Sequence, residues 1–180
     1  MGHDPMTRED IALIREHLRT GNALDVGCGK GRYARLLARS YRTVGIDISE
    51  VALRKARERA NGTPNMFLLR ADATQLPFSN ETFDLVFDRG CLHHMHPEDH
   101  AAYAGEVQRI LKRGGLYRLF AFTENYAPQG HFSTNTVHGH YNYFFSSHYI
   151  ERLFGGFEVI SSRKNSVHTV WHLLMRRPAI

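Results

Sequence analysis

Cysteine is nearly missing from this sequence. Cys28 and Cys91 are the only two in 180 residues, too few for a disulfide framework. No apolar run approaches the roughly 20 residues that a membrane-crossing helix needs, and no signal-peptide pattern precedes the first predicted element. These absences predict a cytoplasmic protein with no membrane partner. Internal repeats, low-complexity tracts and linker-like stretches are missing too, so residues 1–180 read as one domain. Neither charge sign is scarce: 23 Lys and Arg face 18 Asp and Glu, a formal net charge of +5 at pH 7. Much of the positive charge lies at Arg32, Arg35, Arg39 and Arg42, then at Arg54, Lys55, Arg57 and Arg59, on or beside predicted helices. No aromatic rings are interleaved with them, as a single-strand binder would have. The pattern describes a solvated helix face and argues against a nucleic-acid partner.

What is present is a rhythm of short apolar runs and helical patterns. Thr7–Arg19 reads as a helix, with Thr7 as its cap, Asp10 three residues on, and Ile11, Ile14 and Leu18 on one face. Strands are predicted at Ala23–Val26, Arg42–Ile46, Asn65–Ala71, Phe83–Asp88 and Leu116–Phe122. Helices are predicted at Tyr33–Arg39, at Glu50–Ala60, and from His96-Pro97 to a last turn holding Lys112 and Arg113. Ser49 is placed to cap the middle helix, where Glu50 and Arg54 form an i,i+4 pair. Phe157–Ser161 and Thr169–Met175 read as a closing pair of strands. The alternation implies an α/β fold whose parallel sheet is covered on both faces.

The chain is organised around Leu24-Asp25-Val26-Gly27-Cys28-Gly29-Lys30-Gly31-Arg32-Tyr33. A strand feeding a glycine turn and a helix N-terminus makes a nucleotide-binding edge. A dinucleotide fingerprint would need glycine at position 32, where Arg32 stands. Each predicted strand ends at or near an acid. Asp47 follows the second strand, 22 residues beyond Asp25, where a carboxylate can accept ribose hydroxyl protons. Asp72 follows the third in Arg70-Ala71-Asp72-Ala73, and Asp88 closes the fourth. Either of the first two could instead cap a helix or sit in an exposed turn.

The spacing Asp-x-Gly-x-Gly-x-Gly resembles the first motif of the class I S-adenosylmethionine-dependent methyltransferases. Leu111-Lys112-Arg113-Gly114-Gly115 resembles that family's Leu-Lys-Pro-Gly-Gly turn, with Arg113 in place of proline. The resemblance covers nearly the whole chain. It implies a Rossmann-like, doubly wound, mostly parallel seven-stranded sheet with a closing antiparallel strand. It also implies S-adenosyl-L-methionine as cofactor, held by Asp25, Gly27, Cys28, Gly29, Gly31 and Tyr33 at the first turn. Asp47 and Ile48, Asp72 and Ala73, and Asp88 and Arg89 would complete the site, with Asp72 meeting the adenine amino group. Cys28 and Cys91 are expected to approach each other beside the cofactor.

The acceptor is read from less. Asp88-Arg89-Gly90-Cys91-Leu92-His93-His94 lacks the Asp/Asn-Pro-Pro-aromatic motif of amino-directed DNA methyltransferases. It looks more like small bacterial and archaeal methyltransferases acting on thiols, thiopurines or metalloid oxyanions. A small-molecule acceptor is therefore expected. A thiol ionises near neutrality and needs little help, whereas a hydroxyl needs a positioned base, for which His93, His94, His138 and His140 are the candidates. No metal site is expected at His93, His94 and His96, because adjacent histidines on a strand-end loop point apart. The long segment 123–146, rich in rings and histidines, is expected to be the acceptor lid. The competing readings are O- or N-methyl transfer to a metabolite, a non-catalytic cofactor-binding module, a nicotinamide enzyme, and an RNA-modifying enzyme with steep salt dependence.

Overall fold

A computed structural model describes residues 5–126, 132–135, 140–164 and 169–180. At its centre is β1 (Asn22–Val26), whose last four residues are all buried. A strand apolar on both faces needs cover on both sides. α1 (Pro5–His17) supplies Ile14 to one face, where it meets Ala23, Leu85 and Phe87. α4 (Pro97–Ile110) supplies Tyr103 and Val107 to the other, against Leu24, Val26 and Val86.

β2 (Arg42–Asp47) and β4 (Phe83–Arg89) flank β1 in parallel. The full order is β3-β2-β1-β4-β5-β9-β8, with β3 at Met66–Arg70, β5 at Leu111–Phe122, β8 at Glu158–Lys164 and β9 at Val170–Arg176. β9 pairs antiparallel with both β5 and β8, so it alone runs against the other six. This is the expected Rossmann-like sheet with its closing antiparallel strand. The chain moves outward from β1 to β3 and then returns to β4 on the other side of β1. The crevice beyond the carboxyl ends of β1 and β4 is thus the switch point at which such sheets bind ligands. Two helices lead away from it: α2 (Arg32–Leu37) and α3 (Glu50–Ala60). Ser49 caps α3 as expected, its hydroxyl accepting from the Ala52 N–H at 3.2 Å.

Several local expectations are corrected. α1 begins before Thr7, and Asp10 is no cap residue: it lies inside the helix, 1% exposed, paired with Arg118. Glu50 pairs with Arg57 at 2.5 Å, two turns away, rather than with Arg54. α4 stops at Ile110, so Lys112 and Arg113 belong to β5. Phe83 faces Leu111 but Leu85 faces Leu116, and the bulge this forces contains Gly114 at φ 74°, a left-handed conformation glycine adopts without steric cost.

The segment after β5 has structure of its own. It holds a hairpin of β6 (Phe132–Asn135) and β7 (His140–Tyr143) and leads into α5 (Ser147–Phe154). Tyr143, Phe144 and Phe145 are buried. Tyr143 and Phe145 pack with His100 of α4 and Tyr149 of α5. Among the described residues, no helix is long and apolar enough to cross a membrane.

Candidate functional site

The turn after β1 is held by its own backbone and by Asp47. Cys28 N–H donates to the Ile46 carbonyl at 2.8 Å, Gly31 N–H to the Cys28 carbonyl at 2.9 Å, and Gly29 N–H to Asp47 Oδ2 at 2.8 Å. Asp47 Oδ1 accepts from Ser49 N–H at 2.8 Å, so one carboxylate links the β1 turn to the start of α3. Gly29 (φ 54°) has nothing within 4 Å of where a Cβ would stand, and the loop is open there to a ligand. At Gly31 a Cβ would lie 2.8 Å from Met66 Cε and 3.1 Å from Ala56 Cβ. That glycine therefore serves helix packing, not the open side of the loop. Cys28 also faces inward, packed with Ala34 and Leu53.

A cavity of about 570 Å³ opens above this turn, lined by Gly27, Asp47, Ile48, Asp72 and Ala73, and on its far wall by Cys91 and His94. Asp72 Oδ1 accepts from the Thr74 N–H and hydroxyl at 2.8 and 2.7 Å, bonds that hold its carboxyl below the ordinary range. Asp25 lies beneath the turn, 2% exposed. Burial pushes its pKa up to about 8 against the Ala34 N–H, with Asp88 and Asp47 adding to the rise. Its Oδ2 has no hydrogen-bond partner among the described residues.

Asp88 is fully buried and committed internally. Its oxygens accept from Cys91 N–H (2.7 Å), Leu92 N–H (3.0 Å) and the Tyr103 hydroxyl (2.6 Å). It shapes the turn after β4 and does not line the cavity. Tyr33 packs on Phe87 and beneath the Arg89 guanidinium, whose carbon lies 4.9 Å from the Tyr33 ring centre. Cys28 and Cys91 fall in different packing environments. Cys91 sits against Gly27 on the cavity side, and burial, the largest cause, raises both thiols above their ordinary pKa.

Past this turn lies a second cavity of about 310 Å³, lined by Arg89, His93, Phe120, Phe122, Val170 and His172. Gly90 and His94 line both cavities. His93 is 6% exposed and stacks on Phe122 with ring centres 4.0 Å apart. Burial pushes its pKa down to about 3, with His94 contributing. His94 Nδ1 donates to the Tyr141 carbonyl at 2.9 Å. Tyr141 also stacks on His96 at 4.5 Å, tying β7 to the rim of the first cavity. His138 lies outside the described residues, and only the backbone of His140, in β7, is described. Among the described residues, no group of three or more His, Cys, Asp or Glu is placed to hold a metal ion.

The second cavity contains residues that sequence reasoning passed over: Phe120, Phe122, Val170 and His172. The available signal was polarity in the wrong place. Arg118 interrupts the apolar run Leu116–Phe122, and His172 interrupts Val170–Met175. Both are buried, at 0% and 2% exposure.

Comparison with known proteins agrees with this fold. A family model described as a methyltransferase domain matches residues 23–115. An uncharacterised methyltransferase of Schizosaccharomyces pombe is 37% identical over 105 residues, 57% of this chain and 72% of that protein. The mouse eEF1A lysine and N-terminal methyltransferase is 34% identical over 124 residues, 61% of this chain but 18% of that protein. The structure of Burkholderia thailandensis 1,6-didemethyltoxoflavin-N1-methyltransferase, solved with 1,6-didemethyltoxoflavin and S-adenosylhomocysteine, superposes with a TM-score of 0.81. It is 21% identical, and the match covers 97% of this chain and 79% of that one.

Proposed function

This chain belongs to the methyltransferase-domain family, and from that premise we propose that it methylates a soft, self-ionising nucleophile, such as a thiol, on a small molecule. It is an S-adenosylmethionine-dependent enzyme, and that cofactor supplies the methyl group on a sulfonium leaving group. The first cavity suits it. The cofactor's nucleoside and amino-acid ends need hydrogen-bond acceptors, and Asp47 and Asp72 stand on the cavity wall. Asp25 keeps a buried oxygen without a partner among the described residues, and Gly29 leaves room for close approach. Ile48 and Ala73 supply the apolar lining. Asp88 supports the far wall by accepting from the Cys91 N–H, whereas Arg89 lines the second cavity, with Tyr33 packed beneath it.

The observation that carries the acceptor reading is the seam between the two cavities, where Gly90 and His94 line both. The second cavity adjoins the cofactor site, and His93 in its wall is a base of pKa about 3, too weak to deprotonate a hydroxyl. An acceptor that ionises unaided fits such a pocket. Segment 123–146 acts as the acceptor lid through its hairpin, with Tyr141 at the rim and Tyr143, Phe144 and Phe145 as its buried anchor. Rings exclude water from the reacting groups and favour a cation.

O- or N-methyl transfer is the second reading, favoured by His94, an imidazole that lines both cavities. A protein acceptor enters through the eEF1A methyltransferase relative, of which this chain spans a small part. The test is a screen of thiols, phenols, amines and lysine peptides with labelled cofactor, followed by a pH–rate profile. A soft acceptor should give a limb that tracks its own pKa and survives His94→Gln. A limb near the ordinary histidine range that vanishes in His94→Gln would transfer the assignment to base catalysis.

A further inference from the structure

We propose that the outer edge of β3 is a docking site for an extended acidic segment of a partner protein, which adds to the sheet as a further strand. The inference does not depend on which acceptor is methylated. β3 ends the sheet on one side and bonds to β2 through alternate residues. The Asn65 carbonyl accepts from Thr43 N–H at 2.8 Å, and Ala71 N–H donates to the Asp47 carbonyl at 3.3 Å. In a parallel pair that alternation turns the backbone groups of Leu68 and Arg70 outward. Among the described residues no strand pairs with that side of β3. Such an edge is a template for another chain, and natural edges are usually blunted by charge or proline. β3 reads Met66-Phe67-Leu68-Leu69-Arg70, four apolar residues before its first charge.

Phe67 and Leu69 share one face of the strand and are 45% and 39% exposed. Their register partners Val44 and Ile46 join the core on which α4 packs, and the cover stops there. An apolar pair beside unpaired ladder groups fits a strand with apolar side chains at alternate positions. The charge of that strand follows from its surroundings. The Arg42 guanidinium carbon lies 5.2 Å from the Phe67 ring centre. On the other face Leu53 of α3 packs with Met66 and Leu68, and α3 carries Arg54, Lys55, Arg57 and Arg59 against Glu50 and Glu58. Arg57 bonds Glu50 at 2.5 Å. That bond is the main cause holding Glu50 below the ordinary carboxylate range, and Arg70 and Arg54 add to it. Arg42, Arg54, Lys55, Arg59 and Arg70 have no ion pair among the described residues. The nearest acids beyond β3, Asp47 and Asp72, line the cofactor cavity and are hydrogen-bonded there. A second copy of this chain would bring the same cations to the same edge, and like charges repel. A nucleic acid would answer the charge but not the N–H and C=O groups, which repeat at strand spacing. An acidic peptide answers both.

The test uses fluorescein-labelled peptides in which valine alternates with glutamate. The controls are the same peptide with lysine for glutamate, and the acidic peptide with a central proline, which removes a ladder N–H. Each is offered to the full chain saturated with S-adenosylhomocysteine and followed by fluorescence anisotropy and by amide hydrogen exchange. The acidic peptide should bind at least about 10-fold tighter than either control, and the Leu68 and Arg70 amides should exchange more slowly in its presence. Phe67→Glu should weaken it about 10-fold or more, and Arg42→Gln about 3-fold, with S-adenosylhomocysteine affinity unchanged. Thermal melts check the fold of each variant. If Phe67→Glu fails to fold, hydrogen exchange on the unaltered chain decides. No binding of the acidic peptide, equal binding of the acidic and basic peptides, or protection that misses β3 overturns the inference. Self-association that protects the same amides assigns the edge to a second copy, and tighter binding of a uridine oligonucleotide there assigns it to nucleic acid. Either result also overturns the inference.

Discussion

The carboxyl edge of the sheet has two halves of opposite chemistry. On the β1–β2–β3 side Asp47 and Asp72 line the larger of the two cavities, with Asp25 buried beneath the turn that borders it. On the β4–β5–β9 side Arg89, His172 and the rings of Phe120 and Phe122 line a smaller cavity, and Arg118 is buried with its guanidinium carbon 4.5 Å from the Phe120 ring centre. The acid half is built from neighbours in sequence. Asp47 reaches Gly29 across 18 residues and Asp72 reaches Thr74 across two. The basic half is built from strangers, with Arg118 and Arg163 meeting Asp10 across 108 and 153 residues. Damage to the first half should therefore stay local, whereas damage to the second should be felt by the whole fold.

The largest effect is expected where the basic half is cut. Arg118→Met strips the buried partner from Asp10, and breaking a buried pair from one side costs about 3–5 kcal/mol. Urea denaturation should register that loss. S-adenosylhomocysteine affinity of the folded fraction should change little, and a parallel collapse of affinity would show that the halves are not separable.

Asp47→Ala is the matching cut on the acid side. It should leave a folded protein whose S-adenosylmethionine affinity falls roughly 10- to 100-fold, or about 1.5–3 kcal/mol, as hydrogen bonds to a charged acceptor disappear. Calorimetry on the folded variant decides it, and unchanged affinity would remove Asp47 from the site.

The two halves also differ in how pH acts on them. Asp25 has its folded pKa raised from 3.8 to about 8, so it binds a proton that the unfolded chain lacks in that window. Its contribution to stability is full at low pH and is lost as pH rises towards 8. His93 has its folded pKa depressed from 6.5 to about 3. Its contribution is full above 6.5 and is lost as pH falls towards 3. Between 3.8 and 6.5 the two slopes oppose. From 6.5 to 8 only Asp25 titrates of this pair, and its contribution to stability should fall by about 2 kcal/mol. Chemical denaturation at a series of pH values should show the decline, and Asp25→Asn should flatten it.

The smallest effect sharpens the claim of locality. Ser49→Ala removes the α3 cap beside the acid half and should cost about 1 kcal/mol, read as a small drop in melting temperature. A loss as large as that of Arg118→Met would connect the halves through α3.

Much of the acid half was legible in the residues themselves. A buried strand, alternating glycines and an acid at each strand end form a pattern whose parts lie within a few turns of one another, and the alternation of elements was enough for the sheet. Local rules misplaced what long-range contacts outweighed. Asp10 sits where a capping residue is read, yet Arg118 draws it into the interior. Lys112 and Arg113 look like the end of a helix, yet pairing of β5 with β4 begins at Leu111. Segment 123–146 reads as one ring-rich stretch, and its packing of Tyr143 and Phe145 against His100 of α4 and Tyr149 of α5 has no local signature.

The sequence by itself determined the elements that run from β1 to β5 along the chain and the acids at the ends of the first strands, because periodicity, glycine conformations and caps act over a few residues. Only the tertiary structure decided the second cavity. Its walls come from the ends of β4, β5 and β9, and the cluster behind it from α1 and β8, elements with no shared sequence pattern. Desolvation supplies the physical reason. A lone arginine or histidine in an apolar strand has no stated purpose until burial forces it to find a counter-charge or a ligand.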